Sequence, residues 1–251
     1  MVLKKWHELP PDMRNEQVRP YYAALRKRRW SLLGKRLFDV AVSIGLLSIL
    51  SPAVLAISIW IKWDSKGPVF FRQVRVTQYG KKFKIFKFRT MVKDAEKMGS
   101  QVTTKNDTRV TKAGAFLRKY RMDELPQLLN ILRGDMTLVG TRPEVEKYVA
   151  CYSEEMMATL LLPAGVTSEA SILYKDEEVL LAKAADVDQT YMETILPRKM
   201  KLNLLSLKKF SFFGEIKILA HTGLAVFFRK RKAQISTIDW IVKEKTHEEN
   251  M

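Results

Sequence analysis

The 251-residue chain holds one cysteine, Cys151, and three histidines, His7, His221 and His247. A lone cysteine excludes an intrachain disulfide and fits a reducing cytoplasm. The histidines are too scattered for a zinc site, which needs paired ligands a few residues apart. Glycine is sparse, at 11 residues, and forms neither GxxxxGK nor GxGxxG. Both backbone cradles that hold nucleotide phosphates are therefore missing, and any nucleotide must be held by side chains and a metal ion. Acidic residues are in deficit, 27 Asp and Glu against 44 Lys and Arg, for a net charge of +17. Such a balance suits a polyanionic partner: anionic lipid head groups, phosphorylated substrates or nucleic acid. No groove-reading motif accompanies the charge, which argues against nucleic acid. Internal repeats and low-complexity tracts are also lacking.

What is present is one long apolar run, Leu37 to Ile61, with Asp39 as its single charge. As a straight helix it would reach about 37 Å, enough for the roughly 30 Å hydrocarbon core of a bilayer. Ser51 and Pro52 sit just past its middle. An interior proline removes one backbone hydrogen bond and clashes with the preceding turn, and Ser51 is available to bond the carbonyl this frees. Arg26, Lys27, Arg28, Arg29, Lys35 and Arg36 precede the run, and Lys62, Lys66, Arg72, Arg75, Lys81 and Lys82 follow it. Two topologies stay open. One is a single-pass anchor with a mild kink. The other is a re-entrant helix that breaks at Ser51-Pro52 and returns. Short basic flanks prefer the cytoplasmic face, and only the second arrangement keeps both there. A soluble core helix rarely runs so long without polar residues. A cleaved signal peptide would start earlier and be shorter.

The expected fold is α+β and mainly helical, in four parts. Residues 1–34 are a polar and basic lead-in, mobile up to residue 20, with an interfacial segment that is either an amphipathic surface helix or a plain polybasic flank. Residues 35–62 are the membrane helix, 63–232 a cytoplasmic domain, and 233–251 a polar tail. Val69 to Phe71 and Phe83 to Phe88 favour β-structure, divided by a turn at Tyr79-Gly80. Helices are expected over 111–120, 124–132, 144–160, 176–185 and 187–206, with a short strand at 137–139. Leu125, Leu128, Leu129 and Leu132 share one helical face, and Gly134 closes that helix. The segment 215–228 reads equally as a core helix or as a second membrane-surface helix.

The sharpest chemical feature is Asp123-Glu124-Leu125-Pro126-Gln127. With Asp123 as N-cap, Pro126 falls in the first turn, where its missing N–H costs little. Both carboxylates then sit at a helix N-terminus, which favours anions. A carboxylate held ionised there is available as a nucleophile, and its neighbour can hold Mg2+ against substrate phosphate. Arg118, Lys119, Arg121 and Arg133 surround the motif and could clamp phosphates. Ordinary helix capping accounts for the same two acids, and a solvated strand face accounts for Lys87 and Arg89.

A series of motifs decides between these readings. Lys35-Arg36-Leu37-Phe38-Asp39, Ser51-Pro52, Gly67-Pro68-Val69-Phe70-Phe71-Arg72-Gln73 and Phe86-Lys87-Phe88-Arg89-Thr90-Met91 occur in that order. Asp107-Thr108-Arg109-Val110-Thr111, Asp123 to Gln127 and Gly134 to Gly140 follow. Over roughly residues 30–230 the chain resembles the bacterial sugar transferases, the monotopic polyprenyl-phosphate phosphoglycosyl transferases that begin exopolysaccharide, O-antigen and glycoprotein glycan synthesis. The resemblance implies a re-entrant helix with both ends cytoplasmic at the bacterial inner membrane. It implies transfer of a sugar-1-phosphate from a UDP-sugar to undecaprenyl phosphate, with downstream glycosyltransferases as further partners. Asp123 would attack the sugar-linked phosphorus, Glu124 would hold Mg2+, and Lys87, Arg89, Arg118 and Arg142 would bind substrate. A non-catalytic scaffold that binds polyprenyl phosphate is the alternative, and the intact acid pair argues against it. Two departures stand out. The family's Pro-Arg-Pro is Thr141-Arg142-Pro143, and its Pro-Gly-Ile-Thr-Gly is Ala164-Gly165-Val166-Thr167-Ser168 with a proline one place earlier, at Pro163. Tyr174-Lys175-Asp176-Glu177-Glu178 resembles a variant of one family branch. With no multi-helix domain ahead of the catalytic part, the chain resembles the family's minimal form.

Overall fold

The computed structural model describes residues 3–98, 107–174, 177, 181, 184 and 186–227. Helix α1 (Arg19–Lys27) leads into α2 (Arg29–Asp64), a 36-residue helix that contains the whole apolar run. Among the described residues it is the one helix long and apolar enough to cross a membrane. The expected break is a proline inside a continuous helix. The helical pattern passes through Ser51 and Pro52, and Ser51 Oγ donates to the Ser48 carbonyl at 2.9 Å. That carbonyl is the one left open by the missing N–H of Pro52.

Burial divides α2 into two arms and a bare middle. Leu32, Lys35, Asp39 and Ser43 are buried on the first arm, Ile57 and Ile61 on the second, and no residue between Ser43 and Ile57 is. Ile44, Leu46, Ile49 and Leu55 are exposed there. Both arms dock on one domain. Arg36 donates to the Ile131 and Leu132 carbonyls at 2.6 and 3.2 Å, in the last turn of a helix, where carbonyls run short of backbone donors. Lys35 and Asp39, 2% and 1% exposed, pair with each other and reach Glu215 and Thr137 respectively. On the second arm Asp64 accepts from the Ala113 N–H at 3.0 Å, and Trp60 packs edge-on against Phe116.

Beyond α2 the chain makes two small β-units. Strands β1 (Phe70–Val76) and β2 (Lys82–Phe88) form an antiparallel hairpin, with Phe71 opposite Lys87 and Arg75 opposite Phe83. Its turn follows the Tyr79-Gly80 signal, with both residues at positive φ. Helix α3 (Lys112–Lys119) is N-capped by Thr111, whose hydroxyl accepts from the Gly114 N–H. Helix α4 (Gln127–Arg133) ends at Gly134, φ 86°. Asn130 of α4 is fully buried against the edge of β2, donating to the Lys84 carbonyl and accepting from the Phe86 N–H. That amide fixes α4 against the strand bearing Lys87. Strands β3 (Met136–Val139) and β4 (Ala164–Thr167) pair in parallel. The sequence pattern marks β3 and misses β4, which is too short and glycine-bearing to show a period.

The expected helix over 144–160 reduces to α5 (Glu146–Val149) and a 3-10 stretch, Met156–Leu161. After α6 (Glu169–Leu173), the expected 176–185 helix lies largely outside the described residues. The 187–206 helix is realised as α7 (Val187–Thr190), a π-turn (Tyr191–Ile195) and α8 (Leu196–Lys208). Pro197, which has no N–H to donate, follows that π-turn. Helix α9 (Phe212–Phe227) exposes Phe213 and Leu224 and packs Ile218 and Leu219 against the domain, so one face serves the core and the other is apolar and exposed. The basic cluster 229–232 and the 233–251 tail lie outside the described residues.

The lead-in corrects expectation. Residues 3–18 are packed, not mobile: Leu9, Met13 and Val18 are buried with Leu25, Leu161 and Leu204, and Trp6 meets Tyr22 edge-on. Helix α1 buries Tyr21, Tyr22 and Leu25 in the same cluster, so its apolar face turns to the domain. Taken together the fold is α+β and mainly helical, with two two-stranded units among the described residues.

Candidate active site

Three segments converge on one acidic turn. After α3 the chain reverses at Arg121, held at φ 56°, and winds into a 3-10 turn, Met122–Glu124. That turn aims Asp123 and Glu124 inward, leaving them 8% and 9% exposed. Asp123 is not the N-cap of α4; Pro126 occupies that position, where it has no N–H to leave unpaired. From β2 comes Lys87, whose ammonium lies 3.3 Å from Glu124 Oε1. From the loop after β3 comes Arg142, donating to the same oxygen at 2.6 Å. The Arg121 guanidinium stands 4.0 Å away.

Charge is shared unequally within the acid pair. Burial alone would raise Glu124, but Arg142, Lys87 and Arg121 outweigh it and hold the carboxyl well below the usual carboxylate range. Asp123 moves the other way: burial, then the charge of Glu124, push it up against the opposing pull of Lys87, Arg121 and Arg118. No hydrogen bond from a described residue reaches the Asp123 carboxylate. A helix terminus was expected to keep Asp123 ionised; burial beside a second acid opposes that. Arg142 is strengthened by Glu124, and burial pulls Lys87 down to about 8.

The remaining basic residues separate by what they touch. Arg118 donates through Nε to Thr90 Oγ1 at 2.8 Å, and its charge reaches Asp123. Arg133 stacks over the Phe86 ring and Lys119 over Tyr120. Arg89 is not brought to the acid pair. It is buried, and Nη2 donates to the Ile61 carbonyl, the Ser65 carbonyl and Ser65 Oγ at 3.2, 2.7 and 2.9 Å. It therefore caps the C-terminal end of α2.

A family model described as bacterial sugar transferase matches residues 30–229. The chain belongs to the bacterial sugar transferase family. It is 34% identical over 191 residues to the UDP-N-acetylgalactosamine-undecaprenyl-phosphate N-acetylgalactosaminephosphotransferase of Aeromonas hydrophila, covering 75% of this chain and 42% of that one. It is 36% identical over 205 residues to the UDP-glucose:undecaprenyl-phosphate glucose-1-phosphate transferase of Klebsiella pneumoniae, covering 80% and 41%. A putative undecaprenyl-phosphate N-acetylgalactosaminyl 1-phosphate transferase of Bacillus subtilis (strain 168) is 38% identical over 141 residues, covering 56% and 78%. The chain thus spans about two fifths of the length of the first two relatives.

One charged residue close to this sugar transferase's acid pair was read from sequence only as part of the basic flank. Arg75 lies on the same face of the hairpin as Lys87 and donates to the Pro143 carbonyl at 3.2 Å, directly behind Arg142. The signal was available. Gln73 and Arg75 alternate on one strand face, and Lys87 is on that face of the partner strand.

Proposed function

We propose that this sugar transferase moves a sugar-1-phosphate from a UDP-sugar to undecaprenyl phosphate, giving undecaprenyl-diphosphate-sugar and UMP. The observation that carries the reading is the division of labour in the acid pair. Glu124 is tied to three cations while the buried Asp123 carboxylate has no hydrogen-bond partner among the described residues. A carboxylate with both oxygens uncommitted, beside clustered positive charge, suits attack on a phosphorus.

In the first step an Asp123 oxygen bonds to the sugar-linked phosphorus as the bond from that phosphorus to the UMP oxygen breaks, and UMP leaves with the electron pair. In the second, an oxygen of the lipid phosphate attacks the same phosphorus, and the aspartyl bond breaks. Arg142 and Lys87 exchange Glu124 for phosphate oxygens, and Arg118 adds charge from the Thr90 side. The site fits Mg2+: Glu124 would hold it through Oε2, which is free of hydrogen bonds from described residues, and such an ion commonly bridges a protein carboxylate to substrate phosphate. When bound there, it would neutralise phosphate charge as the leaving oxygen departs.

Location follows the same reading. Helix α2 enters the inner membrane and returns, so its bare apolar middle meets lipid while both arms and both basic flanks stay on the cytoplasmic face. Docking of both arms on one domain supports this. The product would pass to glycosyltransferases that extend exopolysaccharide, O-antigen or a related glycan.

The test is UMP release from a panel of UDP-sugars by detergent-solubilised protein with undecaprenyl phosphate, with and without Mg2+, wild type beside Asp123→Asn. Mg2+-dependent UMP that vanishes in the variant is expected. UMP release surviving Asp123→Asn would assign the chemistry to another residue. No release from any donor, by folded and lipid-bound protein, would favour the scaffold.

A further inference from the structure

Behind Arg142 lies a buried chain of polar contacts that the transfer reaction does not itself use. Glu144, two residues after Arg142, is buried. Its Oε1 accepts from the Tyr191 hydroxyl at 2.6 Å, and its Oε2 lies 3.8 Å from the Arg75 guanidinium. The buried Lys199 ammonium donates to the same Tyr191 hydroxyl at 3.2 Å and pairs with Glu177 at 3.0 Å. A phenol has one proton, so with Lys199 on its lone pair that proton is directed at Glu144. Arg75 also holds the Pro143 carbonyl, and the Val76 N–H donates to the Glu144 carbonyl at 2.9 Å. The loop carrying Arg142 is therefore gripped from the hairpin on one side and from the π-turn and α8 on the other.

Like charges explain why a grip is needed. Arg75 and Arg142 are near enough that each guanidinium disfavours the other's charge, and the loop between β3 and Pro143 is short and irregular. Once Arg142 exchanges Glu124 for phosphate, that repulsion would favour moving it away from Arg75, and so away from the acid pair. The Glu144 carboxylate beside Arg75 offsets that repulsion only while it is held still, and the Tyr191 hydroxyl holds it.

We infer that Glu144 and Tyr191 are positioning residues for the phosphate clamp: through the Thr141–Glu144 loop they keep the Arg142 guanidinium over the acid pair. Neither touches substrate. The inference rests on the proposed transfer reaction and adds to the machinery Tyr191, which lies 47 residues from Glu144 in sequence.

A double-mutant cycle tests it. Tyr191→Phe keeps the ring, its tilted contact with Tyr148 and the fold, and deletes one hydroxyl. Wild type, Tyr191→Phe, Arg142→Lys and the double variant would be compared in kcat/KM per folded molecule and, separately, in affinity for UMP. The expected result is about a tenfold loss in kcat/KM for Tyr191→Phe alone, shrinking to under twofold in the Arg142→Lys background, with UMP affinity following the same pattern. Glu144→Gln, which keeps an acceptor oxygen, should lose less than Glu144→Ala. A Tyr191→Phe loss of equal size in both backgrounds, or a fall in melting temperature with unchanged kcat/KM, would overturn the inference and leave Tyr191 a structural residue. UMP affinity keeps the cycle readable if Arg142→Lys turns over too slowly. Wild type that releases no UMP from any donor would sink the transfer reaction instead, a result distinct from an additive cycle.

Discussion

At Lys87, activity and stability are set against each other. Burial pulls its ammonium from 10.5 down to about 8, although the Glu124 carboxylate is only 3.3 Å away. A fall of that size means that protonating the amine is less favourable in the folded protein than in the unfolded chain by about 3 kcal/mol. The folded value lies below the unfolded one, so between pH 8 and 10.5 the unfolded chain binds more protons and stability rises with pH. Below that window the fold carries the whole cost of the charge. Lys87→Met removes the charge and keeps an unbranched stem of similar reach. At pH 7 the variant should be more stable than wild type by about 1 to 3 kcal/mol, less than the full figure because Glu124 loses one of its three cations. For a chain of this size that is a rise of several degrees, at about 2 to 4 °C per kcal/mol, while turnover is lost with the clamp. Thermal unfolding of both proteins in one detergent at pH 7 and at pH 9.5 measures it. The gain should shrink at the higher pH, where the wild-type amine is already neutral. A variant less stable than wild type at pH 7, or an equal gain at both pH values, would refute the claim that desolvation outweighs Glu124 at this site.

Three further outcomes follow from the geometry. Arg89→Lys leaves the end of α2 without its planar donor, so limited proteolysis near residues 62–66 should quicken and stability fall by about 1 to 3 kcal/mol, with KM for the donor unchanged; a raised KM would return Arg89 to the substrate site. Gly165→Ala would put a methyl group within 2.1 to 2.5 Å of the Gly140 backbone, so β3 and β4 must separate, and soluble yield or melting temperature should fall sharply; a variant as stable as wild type would refute the close approach. Single cysteines at Lys27 and Lys66, in a Cys151→Ser background because Cys151 is exposed, should both label only from the cytoplasmic side of inverted and right-side-out vesicles; labelling of one from the opposite side would establish a single-pass α2.

What was legible in the sequence is what depends on near neighbours. The apolar run, its proline and its flanking charges are set within one helix, and a β-hairpin shows in alternating aromatic residues around Tyr79-Gly80. The acid pair stood out as a motif before a helix, whereas Arg142 entered only as what the family resemblance implies. What was misread depends on which distant surfaces meet. Residues 3–18 look mobile because their few apolar side chains, Leu9, Met13 and Val18, show no period; they are ordered by a surface built from residues 158–162 and 204–210. Strand β4 has no pattern of its own and exists because β3 lies beside it. Arg89 sits in a substrate-like motif yet is turned to the end of α2. The upward push on Asp123 was not legible from its place before a helix, since desolvation and a neighbouring charge are properties of the packed site. The sequence by itself determined that a membrane helix, an acid pair and a surplus of cations belong to one chain. Only the tertiary structure decided which cations face the acids and what holds them there, because pairs such as Arg75 with Pro143 or Tyr191 with Glu144 form by long-range packing that no local pattern encodes.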